Sequence, residues 1–139
     1  MLEQRIGEIR KECGQFEDPF MRYTFVSELS VYLPKAEESL RSDTYRIRDC
    51  QSNVWLKKEI RGGCFYLEAD SDALIMRGIL YILGELYNGC PAEEIAETDA
   101  DILELCGLKE MFAASRNKGI RSLCEGIRRF CRNYLENQE

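Results

Sequence analysis

Residues 54–69 read VWLKKEIRGGCFYLEA, two apolar-rich runs flanking Arg61-Gly62-Gly63. Val54–Ile60 and Cys64–Ala69 have strand composition, and the paired glycines supply the positive φ that a tight hairpin turn requires. The stretch predicts a β-hairpin, and Tyr45–Arg48 predicts a short third strand beside it.

Outward from the hairpin the period becomes helical. Downstream, Asp70 or Ser71 is expected to cap a helix from Asp72 to about Tyr87, whose wide apolar stripe runs through Leu74, Ile75, Gly78, Ile79, Ile82, Leu83 and Leu86. Gly89 follows as its stop. Pro91 opens a short helix to Ile95, Thr98-Asp99-Ala100-Asp101 resembles a capping box, and a last helix is expected from about Gly119 to Leu135. Upstream, residues 2–13 carry a weak helical stripe. Asp18-Pro19 then reads as an N-cap with proline at the first helical position, starting a helix that Pro34 closes. Helices at both ends around a small antiparallel three-stranded sheet define an α+β fold, read as a single domain over residues 1–139.

Composition narrows the function classes. The chain has 139 residues, 45% hydrophobic and 32% charged, in keeping with a soluble folded protein. Its net charge is −6 with basic residues scattered along the sequence, which argues against nucleic acid as the main partner. The charged start MLEQRIGEIRKE lacks the apolar core of a signal peptide, and no run approaches the ~18 apolar residues of a membrane span. The expectation is a cytoplasmic protein, with no membrane association and with reduced thiols. Seven cysteines are too many by one, or too few by one, for a complete set of internal disulfides, and none form a C-x-x-C. Histidine is absent, which removes Ser-His-Asp and Cys-His couples and Cys₂His₂ zinc sites.

Most cysteines read as packing. Cys124 and Cys131 share a helical face with Ile120 and Ile127, Cys13 continues an apolar stripe, and Cys106 lies in a Leu-rich turn. Cys90, in Asn88-Gly89-Cys90-Pro91, reads as a loop residue open to solvent, with nothing near it to activate the thiol. Cys64 falls at the hairpin turn, about 20 Å of strand from Cys50, too far for a resolving thiol. Cys50 stands apart in the polar run Arg48-Asp49-Cys50-Gln51-Ser52-Asn53. Local chemistry leaves two readings open: an incidental loop cysteine, or a reactive thiol favoured by Arg48 and opposed by Asp49.

The sequence Cys50-Gln51-Ser52-Asn53-Val54-Trp55 resembles the Cys-Gln/Glu-Ser-x-Val-Trp signature of the SufE family (SufE/CsdE-like sulfur acceptors of iron–sulfur cluster assembly). Further stretches resemble the family in the same order over roughly residues 18–130. They are Phe25-x-x-Glu28-Leu29 with Leu33-Pro34, Ala69-Asp70-Ser71-Asp72-Ala73 followed by Gly78, Tyr87-Asn88-Gly89 with Glu93-Glu94-Ile95, and Ser115-Arg116-x-x-Gly119. The resemblance implies that Cys50 accepts persulfide sulfur from a SufS/CsdA-like cysteine desulfurase, stimulates its turnover, and passes the sulfur to an Fe–S scaffold or another recipient. It implies a carrier and activator rather than an enzyme, with no cofactor or metal of its own, since pyridoxal phosphate resides on the desulfurase. Arg116 is then expected either to hold the thiolate or persulfide, or to form a structural salt bridge. Gln51 and Ser52 are expected to shape the loop or contact the persulfide, Trp55 to anchor the hairpin core, and Asp72 to serve as a first-turn carboxylate.

Three departures stand beside the motifs, the first being six cysteines besides Cys50, which are not a family feature. Asp49 occupies the position where the family has glycine, and its charge should disfavour a neighbouring thiolate. Asn117-Lys118 replaces the usual small pair between Arg116 and Gly119. The alternative reading is an Fe–S- or zinc-binding scaffold of IscU-like fold, which needs several thiolates to converge.

Overall fold

The computed structural model describes residues 1–138. Two helices open the chain, α1 (Leu2–Gly14) and α2 (Pro19–Glu28), and a 3₁₀ turn at Leu29–Tyr32 leads into Pro34. The hairpin strands β1 (Val54–Arg61) and β2 (Cys64–Ser71) follow. Then come α3 (Leu74–Tyr87), α4 (Ala92–Glu97), α5 (Ile102–Cys106) and α6 (Ala114–Glu136). The class is α+β, as the hydrophobic periods predict.

Local chemistry accounts for most boundaries. Asp18 accepts a hydrogen bond from the Phe20 amide at 2.9 Å, and Pro19, which lacks an N–H, occupies the first turn of α2. Gly62 and Gly63 turn the hairpin with φ of 58° and 79°, so the ladder runs unbroken from Val54 opposite Ser71 to Arg61 opposite Cys64. Asp101 rather than Thr98 caps α5, accepting from the Leu103 amide at 3.0 Å.

Three expectations about the elements need correction. The sheet has two strands, not three: Tyr45–Arg48 contributes only a bridge between Arg46 and Trp55. Two backbone bonds, Ile47 N–H to Val54 O and Leu56 N–H to Tyr45 O, are all the pairing it sustains. Helix α3 starts at Leu74, so Asp72 lies outside it. Ser71 Oγ there accepts from the Ala73 amide at 3.2 Å, and Asp72 turns to other partners. Helix α6 begins at Ala114, about a turn earlier than the apolar stripe indicates, which brings Ser115 and Arg116 into its first turn.

The core lies between one face of the hairpin and the helices. Val54, Leu56 and Phe65 point into it, and Phe65 packs edge-on against Tyr87 of α3 and Phe130 of α6, with ring centroids 6.4 and 6.1 Å away. Rings in this arrangement stabilise beyond their buried area. Arg5 of α1 donates to the carbonyls of Leu86 and Asn88, tying α1 to the carboxyl end of α3, where a cation is favoured.

Five cysteines are core residues. Cys13, Cys106, Cys124 and Cys131 are buried as expected. Cys90 is buried too, contrary to its reading as an open loop residue. Its chain segment pairs with the Phe65 backbone, and its thiol donates to Leu86 O at 3.3 Å. Burial raises the thiols of Cys131 to about 11 and Cys124 to about 12. A thiol raised in the folded state contributes stability that is fully present below the unfolded value of 9.0 and is lost as pH climbs through the folded one. Thermal unfolding under reductant is therefore expected to shift to lower temperature as pH rises through 9 towards 11. A midpoint unchanged across that window would contradict the assignment.

Candidate functional site

The ladder ends at Val54, and the four residues before it, Cys50–Asn53, form a loop laid across the first turns of α6. The close approach depends on Gly119. A Cβ placed there would lie 2.8 Å from Asp49 O and 3.3 Å from Cys50 Cα, well inside contact distance. With only a hydrogen in that place, the Cys50 thiol comes within 3.8 Å of Gly119 O and donates weakly to it.

Two side-chain bonds hold the loop to α6. Gln51 Nε2 donates to Ser115 Oγ, and Arg116 Nη2 donates to Ser52 Oγ at 2.8 Å. Arg116 also stacks over Phe112 at 5.7 Å, and Phe112 in turn meets Tyr23 of α2 at 6.0 Å. Arg116 makes no salt bridge among the described residues.

The end of the loop is tied into a knot around Asn53. Asn53 Oδ1 accepts from Arg46 at 2.6 Å, its Nδ2 donates to Asp72 at 2.6 Å, and its carbonyl accepts from Ser71 Oγ at 2.6 Å. Arg41 binds Asp70 and Asp72 at 3.0 and 3.1 Å and stacks over Trp55 at 4.7 Å. Trp55 is half-buried beneath Arg41, on the strand face opposite Val54 and Leu56, so it anchors the 41–46 connection and not the helix-facing core.

The loop thus gathers Cys50, Gln51, Ser52 and Arg116 at one place, with Trp55 and Asp72 supporting it from behind. Asp49 is different: its backbone packs on Gly119 while its side chain is exposed. Cys64 lies at the far end of the hairpin, opposite Arg61. Sequence reasoning missed Arg41, Asn53 and Asp70. Each is an ordinary polar residue in the chain, and only pairing across 19 to 31 positions reveals its part. Asn53 and Asp70 had a local signal, their places inside the motifs Cys50–Trp55 and Ala69–Ala73.

The electrostatics favour a protonated resting thiol. Cys50 is held above the ordinary thiol value first by burial and next by the Asp49 carboxylate, while the Arg116 guanidinium pulls the other way. Lifting the loop from α6 would remove the first cause. A Gly119→Ala chain is expected to do this by steric force, since its Cβ meets backbone that cannot rotate aside. Cys50 alkylation by iodoacetamide should then quicken several-fold, at a stability cost of about 1–3 kcal/mol. A folded variant with unaltered reactivity would show that this packing does not restrain the thiol.

Among the described residues, no group of three or more cysteine, aspartate or glutamate side chains converges to hold a metal ion. Cys50 and Cys64 are the two half-buried thiols and stand at opposite ends of the hairpin.

Comparison with known proteins bears on this arrangement. Residues 7–131 match the SufE family, described as an Fe-S metabolism associated domain. The chain is 38% identical over 112 residues to an uncharacterised SufE-like protein of Rhizobium etli, covering 77% of this chain and 76% of that one. It is 35% identical to an uncharacterised SufE-like protein of Rhizobium meliloti, covering 77% and 80%. The solution structure of a hypothetical protein from Thermus thermophilus superposes with a TM-score of 0.72 over 97% of this chain and 96% of that one. At 18% identity it speaks for the fold alone. The chain belongs to the SufE family, and its place is in iron–sulfur metabolism. No described helix is long and apolar enough to cross a membrane.

Proposed function

We propose that this protein is a sulfur carrier that takes persulfide sulfur from a cysteine desulfurase onto Cys50 and delivers it to iron–sulfur cluster assembly. The observation that carries the reading is Cys50 itself: a half-buried thiol on a loop held to α6 by side-chain bonds, with the Arg116 guanidinium beside it. The Cys50 thiolate would attack the outer sulfur of the donor's persulfide. One S–S bond forms as another breaks, the donor leaves as thiolate, and no net oxidation occurs. Removing that sulfur frees the donor cysteine for its next turnover, which is how such a carrier stimulates a desulfurase. The pyridoxal phosphate belongs to that partner.

The loop suits the role energetically. Residues 50–52 are fastened by two side-chain hydrogen bonds and one weak thiol contact. At about 1 kcal/mol for each bond, a docking partner can offset their loss. The knot at Asn53 and the buried Val54 would stay in place and act as the hinge. Release removes the desolvation that keeps the thiol protonated, so reactivity would be coupled to docking. A reducing cytoplasm, where seven free thiols persist, is the compartment this chemistry requires.

The test is to incubate the protein with a desulfurase and cysteine, trap persulfides with a thiol-directed alkylating label, and locate the added sulfur by mass spectrometry. Sulfur on Cys50 is the expected outcome; sulfur confined to other residues would defeat the reading. Arg116→Gln should keep the fold and lower the rate of transfer several-fold at neutral pH, with much of the loss recovered at alkaline pH. That pattern separates a role in ionising the thiol from a role in loop shape alone.

A further inference from the structure

Charge is unevenly placed around the Cys50 loop. Segments 46–53 and 114–121 carry five cations, Arg46, Arg48, Arg116, Lys118 and Arg121, against the single anion Asp49, in a chain whose net charge is −6. The two segments are brought together by the contacts of Cys50, Gln51 and Ser52 with α6. Three of the cations are engaged: Arg46 with Asn53, Arg116 with Ser52, and Arg121 with Asp101 at 3.6 Å. Arg48 and Lys118 are exposed and make no ion pair or side-chain hydrogen bond among the described residues. They flank the point where Asp49 and Gly119 touch. Cations scattered along the sequence thus collect on the two segments that meet at the loop thiol, a basic rim in which Arg48 and Lys118 are exposed and unpaired among the described residues, while Asp72 on Asn53 and Asp101 on Arg121 lie against its outer members.

A sulfur donor must bring its own sulfur into bonding distance of Cys50, so its surface has to cover this rim. We propose that the rim recognises an acidic surface on the protein that delivers sulfur to Cys50, a proposal that rests on the sulfur-carrier reading. Opposite charge would speed the encounter and set its orientation, and basic surfaces would be turned away. Asp49 then acquires a use. It makes the centre of the rim locally unfavourable to an anion, and leaves Arg48 and Lys118 at the periphery as the contact points. A phosphate backbone fits less well, because its charge would run continuously across Asp49 and the thiol.

The experiment uses three synthetic peptides, each with one cysteine activated as a 2-thiopyridyl disulfide and flanked by aspartates, asparagines or lysines. They are reacted with the full chain carrying Cys64→Ser, which leaves Cys50 as the accessible thiol, and the released thiopyridone is followed by absorbance. At low salt the acidic peptide is expected to react faster than the basic one by on the order of tenfold. The difference should collapse at about 1 M salt, where screening acts over a few ångströms. Reversing the rim with Arg48→Glu and Lys118→Glu together should reverse the order. The ratio of rates cancels any change in the thiol's own acidity, and the wild-type ratio stands whether or not the reversed variant folds.

Equal rates for the three peptides, or a faster basic one, would overturn the proposal while leaving Cys50 as a sulfur acceptor. Failure of all three to react at Cys50 would overturn the carrier reading along with it. Tighter binding of a fluorescent single-stranded oligonucleotide than of the acidic peptide would overturn it in favour of a nucleic acid.

Discussion

A Cys50→Ser chain is expected to fold normally and to accept no sulfur. The substitution exchanges a half-buried sulfur for an oxygen and removes one weak contact, to Gly119 O at 3.8 Å. Its cost in stability should stay near or below about 1 kcal/mol. The chemistry, by contrast, is lost outright, because a serine hydroxyl remains protonated and forms no sulfur–sulfur bond. Six thiols remain, five of them buried, so the variant also asks whether any other cysteine can serve. In a single-turnover reaction with a desulfurase and cysteine, the mass gain of one sulfur should vanish. Any stimulation of desulfurase turnover should fall to the level without added carrier. Persulfide persisting on Cys64 in this variant would remove Cys50 from the centre of the mechanism.

Gly78→Ala is expected to be the most damaging single methyl in the molecule. Helices α2 and α3 cross where Gly78 faces Val26, and a Cβ there would lie 1.9 Å from Val26 O, 2.8 Å from its carbonyl carbon and 3.1 Å from Cγ1. The obstacle is backbone inside another helix, so no rotamer change relieves it and the helices must separate. Val26 is fully buried, and separation opens the core on both sides of the crossing. Overpacking typically costs about 1–3 kcal/mol, and a clash between two backbones belongs at or above the top of that range. For a chain of this size, this lowers the melting temperature by roughly 10 °C or more. Gly126→Ala is the control: it is also a helical glycine, but its added Cβ meets only the flexible end of Lys58 at 3.9 Å. Higher helix propensity should leave it unchanged or stabilised by up to about 1 kcal/mol. Similar melting temperatures for the two variants would disprove the crossing argument.

The elements legible in the sequence are those set by local chemistry. The hairpin follows from Gly62-Gly63 between apolar runs, the start of α2 from Asp18-Pro19, and the end of α3 from Gly89. In each, the decisive interaction spans a few residues. The site was legible in the same limited sense. The order of short motifs from Phe25 to Gly119 identified the family, and with it the one cysteine worth singling out among seven.

Contacts between distant segments were not legible. Whether Tyr45–Arg48 becomes a strand depends on what crosses it, and Arg41, drawn to Asp70 and Asp72 29 and 31 positions away, lies over Trp55 beside it. Cys90 looked like a loop thiol until the backbone around it paired with Phe65. The inward direction of Cys50 rests on Gly119, 69 residues away, and on the absence of a Cβ there. By itself, the sequence determined the hairpin and the helices, which family the chain belongs to, and which sulfur is of interest, because turns, caps and amphipathic periods are written within a few residues. Only the tertiary structure decided that this sulfur rests half-buried against a helix, with Gly119 and the Arg116 guanidinium, far away along the chain, beside it.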